Sequence, residues 1–541
     1  MDEVGRNGPS GGSCWRKHAM RIWCIISLAV LATCSQNMTG INSQTAMKPV
    51  VIVIDAKAPS HPFPHFWEKI FGSGRAILNL RESYRRDLHA VKQTTNFSYV
   101  RFHGIFNDEV GVYDEDGQGR PVYNFSYIDQ IYDGLLANGV RPFVEISFMP
   151  NKLAARNILH SFWYKPNISP PKDWGHWDGL ITAFTQHLVD RYGIDEVAQW
   201  YFEVWNEPNL DFWAGDPKQA TYWDLYDHTV HAIKTTNPRL RVGGPATAQA
   251  AWVEAFIRHC AENHVPADFV STHVYGDDTA EDVFGAHEDI PRDQMVCRAV
   301  SQVHNQIRTS SMPNLPLIWS EYNASYNTEP EVTDSTYMGP WLADTIRRCD
   351  GLVDMMSYWT FSDVFEEQGV VKTPFYGGYG LIAVNGIPKP AFNAIKLLHK
   401  LGEERIQLDS DFALLTRRND RTLVLALWNY APPEQGGSPI TLTLHLKGTK
   451  AKQALISRVD GDNGDFHSAY KKMGAPRYPT QAQIEQLRQA AEPPLAEAHQ
   501  LENGELTLTL PAHGLAAVLQ LAVIVPSIGE EANFRRPPMR Q

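Results

Sequence analysis

Two glutamates, each at the end of an apolar run, are the residues best placed to do chemistry in this sequence. Glu207 closes Trp200-Tyr201-Phe202-Glu203-Val204-Trp205-Asn206-Glu207-Pro208-Asn209, and Glu321 closes Leu317-Ile318-Trp319-Ser320-Glu321-Tyr322-Asn323, 114 residues later. A carboxylic acid that protonates a leaving oxygen, paired with a carboxylate that attacks the anomeric carbon, is the equipment for breaking a glycosidic bond. Glu207 is the candidate acid and base, and Glu321 the candidate nucleophile. Their surroundings must then keep one protonated and the other ionised. Asn206 offers its amide to a hydroxyl beside the reacting carbon. The competing reading, Asn-Glu-Pro as a mere helix cap, fits poorly with the aromatic strand that precedes it.

Other candidates sit on similar run ends. His103 in Arg101-Phe102-His103-Gly104, and His273 with Tyr275 in Ser271-Thr272-His273-Val274-Tyr275, are expected to donate to sugar hydroxyls or to orient the nucleophile. Trp359 is expected to form a stacking floor and Asp363 to bind a hydroxyl. A structural histidine or a core tryptophan is the plainer alternative at these positions. Glu145 is assigned a structural place in a region of like charge. With no His-x-x-x-His, Asp-rich loop or Gly-rich phosphate cradle, neither a metal nor any other cofactor is expected.

The elements that would hold these residues alternate between short β-rich runs and amphipathic stretches. Strands are predicted at 69–74, 99–104, 142–148, 199–206, 240–244, 269–275, 317–322 and 355–361, with helices among them at 127–138, 177–192, 222–236, 338–349 and 391–401. This is the pattern of a (β/α)8 TIM barrel over residues 66–402, whose active site lies at the C-terminal strand ends. Glu207 and Glu321 then end strands four and seven. Short alternating runs over 403–525 predict an associated β-sandwich, which the strand at 50–54, within 48–65, is expected to join. Residues 526–541 read as a disordered tail.

The chain has 541 residues, 43% of them apolar, and a net charge of −12 with both signs mixed throughout, which argues against a nucleic-acid partner. Fifteen Trp and 21 Tyr suit a protein that stacks sugar rings. Arg16, Lys17, His18 and Arg21 precede the apolar run 22–32, so residues 1–47 read as an export signal and linker, with Met20 as an alternative start. That run is shorter than the ~20 residues a transmembrane helix needs. The product is expected in the periplasm or outside the cell. Leu31-Ala32-Thr33-Cys34 resembles a lipoprotein cleavage box that would anchor the chain through Cys34, although Thr33 is not the favoured residue there. Cys260, Cys297 and Cys349 are odd in number and widely spaced, so neither a disulfide framework nor a zinc site is expected and stability is assigned to burial.

The sequence resembles glycoside hydrolase family 39, a clan A barrel family of β-xylosidases and α-L-iduronidases. The resemblance rests on Arg101 to Gly104, Arg141 to Pro150, Phe202 to Asn209, Trp319 to Asn323, Tyr358 to Glu367 and Gly386 to Phe392, and extends to Ser457-Arg458-Val459-Asp460, Met473 to Pro476 and Tyr478-Pro479-Thr480. It implies retention of anomeric configuration, with Glu207 as acid/base and Glu321 as nucleophile. Where the xylosidases carry Pro-Phe-His-Gly-Gly-Phe-Gly, this chain has Pro374-Phe375-Tyr376-Gly377-Gly378-Tyr379-Gly380, so Tyr376 replaces a titratable donor.

The expected function is a retaining exo-glycosidase acting on β-D-xylosides, with an oligosaccharide or glycoside as its partner. Alternatives are another neutral glycone (arabinoside, glucoside or galactoside), then an α-L-iduronide, then carbohydrate binding without turnover. A neutral glycone is preferred because His273 to Asp278 offers two acids and no base. Glu366 and Glu367 likewise face a single Lys372, whereas a uronate calls for Arg or Lys.

Overall fold

The computed structural model describes residues 50–447 and 451–521. The expected export segment, Cys34 and the tail at 526–541 lie outside the described residues. The chain divides into Met1–Ala46 and Met47–Gln541, and all described residues belong to the second unit.

Eight parallel strands close into a barrel, adjacent in space in their chain order: Ile70–Ser73, Tyr99–Phe102, Arg141–Ile146, Tyr201–Val204, Arg241–Thr247, Phe269–His273, Leu317–Tyr322 and Met355–Tyr358. They are the first to eighth barrel strands below. Alternation along a strand sends successive side chains to opposite faces. Val100 and Phe102, or Phe202 and Val204, therefore pack outward under the helices. Arg101, Glu145 and Glu203 turn inward and pair with one another. Crossover helices such as Trp174–Tyr192, Lys218–Thr236 and Met338–Cys349 cover the outside. The Asp173 side chain accepts the His176 N–H at 3.0 Å and so caps the first of these.

Beyond the barrel, the strand Val50–Asp55 runs parallel to Ile440–Lys447, which runs antiparallel to Glu505–Leu510. This three-stranded sheet faces a seven-stranded antiparallel one across a core that includes Ile52, Ile54, Leu425, Leu444, Ile456 and Leu508. The other face of the larger sheet, through Val424, Ala426, Trp428 and Leu515, merges with the barrel core. Two helices interrupt the sandwich region, His467–Lys472 and Gln481–Ala491.

The cysteine expectation fails. Cys297 and Cys349 form a disulfide, with Cα atoms 5.3 Å apart. The helices Arg292–Thr309 and Met338–Cys349 pack side by side and bring together residues 52 apart in sequence. Spacing alone carried no sign of that packing. Cys260 is buried and free, its thiol pushed up to about 12 by burial and by the nearby Asp227.

Candidate active site

At the C-terminal barrel mouth lies a cleft of about 440 Å³. The fourth strand stops at Val204, and the chain then turns through Trp205 at φ 72° and Glu207 at φ 44°. Left-handed conformations cost non-glycine residues on the order of 1–3 kcal/mol and persist only where neighbours enforce them. Here the Glu207 N–H donates to the Ala246 carbonyl at 2.8 Å, and Leu210 N–H donates back to Glu207 O at 2.9 Å. The turn aims the Glu207 carboxyl into the cleft.

Glu321 arrives from the seventh strand. One of its oxygens and one of Glu207's, together with a His273 ring nitrogen, lie within 4.8 Å of one another. The Arg101 guanidinium donates to Glu321 Oε1 at 2.5 Å, and the Tyr275 hydroxyl donates to Oε2 at 2.7 Å. Both Glu321 oxygens thus accept, as a carboxylate does. Burial, and then the Glu321 charge, push the Glu207 pKa well above the ordinary carboxyl range. The surroundings therefore favour the neutral form of Glu207, while two fixed donors hold Glu321.

His273 links the pair: Nδ1 lies 3.0 Å from Glu207 Oε1 and Nε2 lies 3.0 Å from Ser320 Oγ. Burial, with Arg101 and His103 nearby, drives its pKa far down, so the ring is neutral. His103 is its opposite. Burial would lower its pKa, but the Glu145 carboxylate 2.7 Å from Nδ1 outweighs that and pushes it up to about 10. Its Nε2 faces Glu367 at 3.4 Å. Trp359 packs against His103 with ring centroids 4.8 Å apart, and Gly72 makes room for it, since a Cβ there would meet the indole at 2.0 Å. Arg101 Nη2 donates to Asn206 Oδ1 at 2.9 Å, which leaves the Asn206 amide protons for a ligand.

The trio Glu207, His273 and Glu321 also offers metal-ligand types. A divalent ion would have to displace the Arg101 guanidinium from Glu321, so the arrangement suits acid and nucleophile better than a metal centre. A second trio, His65, Glu68 and His399, lies near the start of the first strand, away from the cleft. It is held by hydrogen bonds of 2.7 and 2.8 Å to Glu68.

The chain matches the glycosyl hydrolases family 39 profile over residues 50–506. It belongs to that family. It is 38% identical to a β-xylosidase of Geobacillus stearothermophilus over 83% of this chain and 90% of that one. A solved monomeric β-xylosidase from Caulobacter crescentus CB15 superposes with a TM-score of 0.80 at 35% identity, covering 88% of this chain and all of that one. The α-L-iduronidase of Homo sapiens is 23% identical over 95% of this chain and 85% of its own. The chain is accordingly a retaining glycoside hydrolase of clan A.

Seven of the eight candidate residues in this family 39 enzyme line the one cleft: His103, Asn206, Glu207, His273, Tyr275, Glu321 and Trp359. Asp363 does not. It is fully buried, with Oδ2 2.7 Å from Lys389 Nζ and Oδ1 accepting the Gly380 N–H at 2.7 Å, and burial raises its pKa to about 6. Lys389 also pairs with Asp334 at 2.6 Å. The ion cluster fixes the loop behind the cleft, and a ligand hydroxyl has no access to it. Tyr376 is likewise set back from the cleft, and Tyr379 lines it instead. Glu145 faces the cations Arg101 and His103 rather than like charge alone, which holds its pKa below the usual range despite burial.

Sequence reading gave no role to Arg101, Glu203 or Gln249, and counted Glu367 and Asp278 only as acids near the strand ends. Arg101 and Glu203 left a signal: charged residues at the centres of apolar strands must be paired inside. The others sit on loops without periodicity. Asp278 lines the cleft with its pKa raised to about 7, by burial first and then by Asp277, against the lowering hydrogen bond from Tyr275 N–H.

Proposed function

We propose that the enzyme removes β-D-xylosyl units from the ends of its substrates, with Glu207 as acid/base and Glu321 as nucleophile. The observation that carries this reading is the approach of the two carboxyls to within 4.8 Å. Retaining enzymes set theirs roughly 5–5.5 Å apart, whereas inverting ones leave about 6.5–9.5 Å for a water. Glu321 attacks the anomeric carbon while Glu207 gives its proton to the leaving oxygen, which departs as an alcohol. Glu207, now ionised, takes a proton from water as that water displaces Glu321 from the sugar, restoring both groups. Arg101 and Tyr275 hold the nucleophile, and Trp359 supplies a flat apolar face for the glycone.

Xylose as the glycone is supported by the β-xylosidase likeness and by charge. No Lys or Arg is among the described residues lining the cleft, while Glu207, Glu321, Glu367 and Asp278 are. The cationic His103 that lines it already faces Glu145 and Glu367, so burying a uronate among these carboxylates would be costly. Matched nitrophenyl glycosides test this. A β-D-xyloside should give the highest kcat/KM and an α-L-iduronide a far lower one. A higher value for the iduronide, or for an arabinoside, glucoside or galactoside, would reassign the glycone.

Export is proposed alongside. It is supported by the basic-then-apolar segment at 16–32 and by the Cys297–Cys349 disulfide, a bond typical of oxidising compartments. Fractionation should find the enzyme outside the cytoplasm with the bond intact. Membrane-bound activity released by Cys34→Ser would show a lipid anchor, whereas cytoplasmic enzyme with reduced thiols would refute export.

A further inference from the structure

Away from the cleft, the described residues bring a second set of metal-ligand types together: His65, Glu68 and His399 each offer one ligand atom, and these atoms lie within 4.8 Å of one another. His65 and Glu68 precede the first barrel strand and Asn96 precedes the second, so the set sits at the N-terminal strand ends, the opposite end of the barrel from the catalytic cleft. His399 follows directly on the last barrel helix, Pro390–Leu398, and lies 331 residues beyond Glu68. No local motif could announce such a set.

Its chemistry is specific. Glu68 is fully buried, and a buried carboxylate needs a cation or several donors. Among the described residues no Lys or Arg pairs with it; its ion partners are the two imidazoles, which carry charge only when protonated. Unlike Glu321, Glu68 thus holds no guanidinium that a metal ion would have to displace. Both imidazoles turn the same ring atom towards it: Nδ1 of His65 lies 2.7 Å from Glu68 Oε1, and Nδ1 of His399 lies 2.8 Å from Oε2 and 3.0 Å from Oε1. The Asn96 amide donates to Oε1 at 2.9 Å and steadies the carboxylate from outside the trio, as outer partners do in metal sites. The His65 ring is fixed by stacking on Trp67, with centroids 4.5 Å apart.

We propose that His65, Glu68 and His399 bind one Zn2+ ion, with a water as the fourth ligand. Two imidazoles and a carboxylate suit zinc better than calcium or magnesium, which take oxygen ligands. Tetrahedral zinc spaces its ligand atoms roughly 3.3–3.6 Å apart, so the trio must open by roughly half an ångström. The His399 side chain, 37% exposed, has room to swing outward and gives the ion its way in. Each imidazole binds through an unprotonated Nδ1, so its proton moves to Nε2 or is released. The ion ties the approach to the first strand to the end of the last helix. There the Phe63 N–H already donates to Glu403 O at 2.7 Å, and Lys400 donates to Ser457 of the sandwich at 2.8 Å.

The test uses the whole enzyme, stripped with a chelator, and Zn2+ alone. Element analysis after gel filtration should find one zinc per chain, and zinc should raise the melting temperature by several degrees. Co2+ in its place should give the visible absorption of a tetrahedral site. Asn96→Ala should weaken zinc by roughly 10–100-fold, the cost of losing an outer partner, and His399→Ala and Glu68→Gln by more. Affinity should fall as the pH drops, since protons compete for both Nδ1 atoms. Glu321→Gln should keep the zinc, which separates this trio from the catalytic one. No bound zinc in the folded wild-type enzyme, undiminished zinc in folded His399→Ala, or zinc lost in Glu321→Gln would overturn the site. None of these readouts depends on turnover, so they hold whatever the glycone.

Discussion

Glu207 and Glu321 are the same residue type a few ångströms apart, and what divides their roles is what each touches. Glu321 receives hydrogen bonds from a guanidinium and a phenol, whereas Glu207 meets burial, a neutral imidazole and its partner's charge. Glu207→Ala should therefore slow poor leaving groups by roughly 10²–10⁴-fold and activated ones much less, because only the former need the proton. Azide should restore its turnover and give the retained β-glycosyl azide. Glu321→Ala should lose roughly 10⁴-fold or more on all substrates, and azide should yield the inverted product. The raised Glu207 pKa also fixes a sign: kcat/KM falls as pH rises through it, and Glu207→Gln should abolish that basic limb for an activated substrate. Both glutamates, the two histidines, Tyr275 and Trp359 were legible because each ends a recognisable apolar run. Asp363 was misplaced because its buried ion partner, Lys389, comes from a segment 26 residues further on that no local pattern links to it.

At the scale of elements, the eight strand predictions landed within a few residues of the observed spans, since buried parallel strands write continuous apolar runs into the sequence. Loops write nothing comparable, which is why the left-handed segment carrying Gln249 went unread. Gly72, in the first strand, shows how an element limits the site. Its missing side chain is the space that Trp359 fills. Gly72→Ala should push the indole off the cleft floor, raising KM and lowering kcat/KM about tenfold or more, while costing about 1–3 kcal/mol of stability. Unchanged kinetics in that variant would mean that Trp359 does not set the glycone position.

Among the described residues a barrel and a sandwich join through the shared face around Trp428 and Leu515, and the Cys297–Cys349 disulfide ties two adjacent barrel helices. Closing a 52-residue separation is worth about 4 kcal/mol in the chain-entropy model, so reduction, or Cys349→Ser, should lower the melting temperature by several degrees and leave kcat/KM for a nitrophenyl xyloside nearly unchanged. Loss of activity at temperatures where the protein stays folded would show that the bond shapes the cleft. The central claim, a double displacement on a β-xyloside through Glu321, is tested most directly by trapping its intermediate. Enzyme incubated with an activated 2-deoxy-2-fluoro-β-D-xyloside, then digested and analysed by mass spectrometry, should carry one fluoroxylosyl group on the peptide containing Glu321. A label on Glu207, or no label on an enzyme that turns over the matching nitrophenyl xyloside, would contradict it.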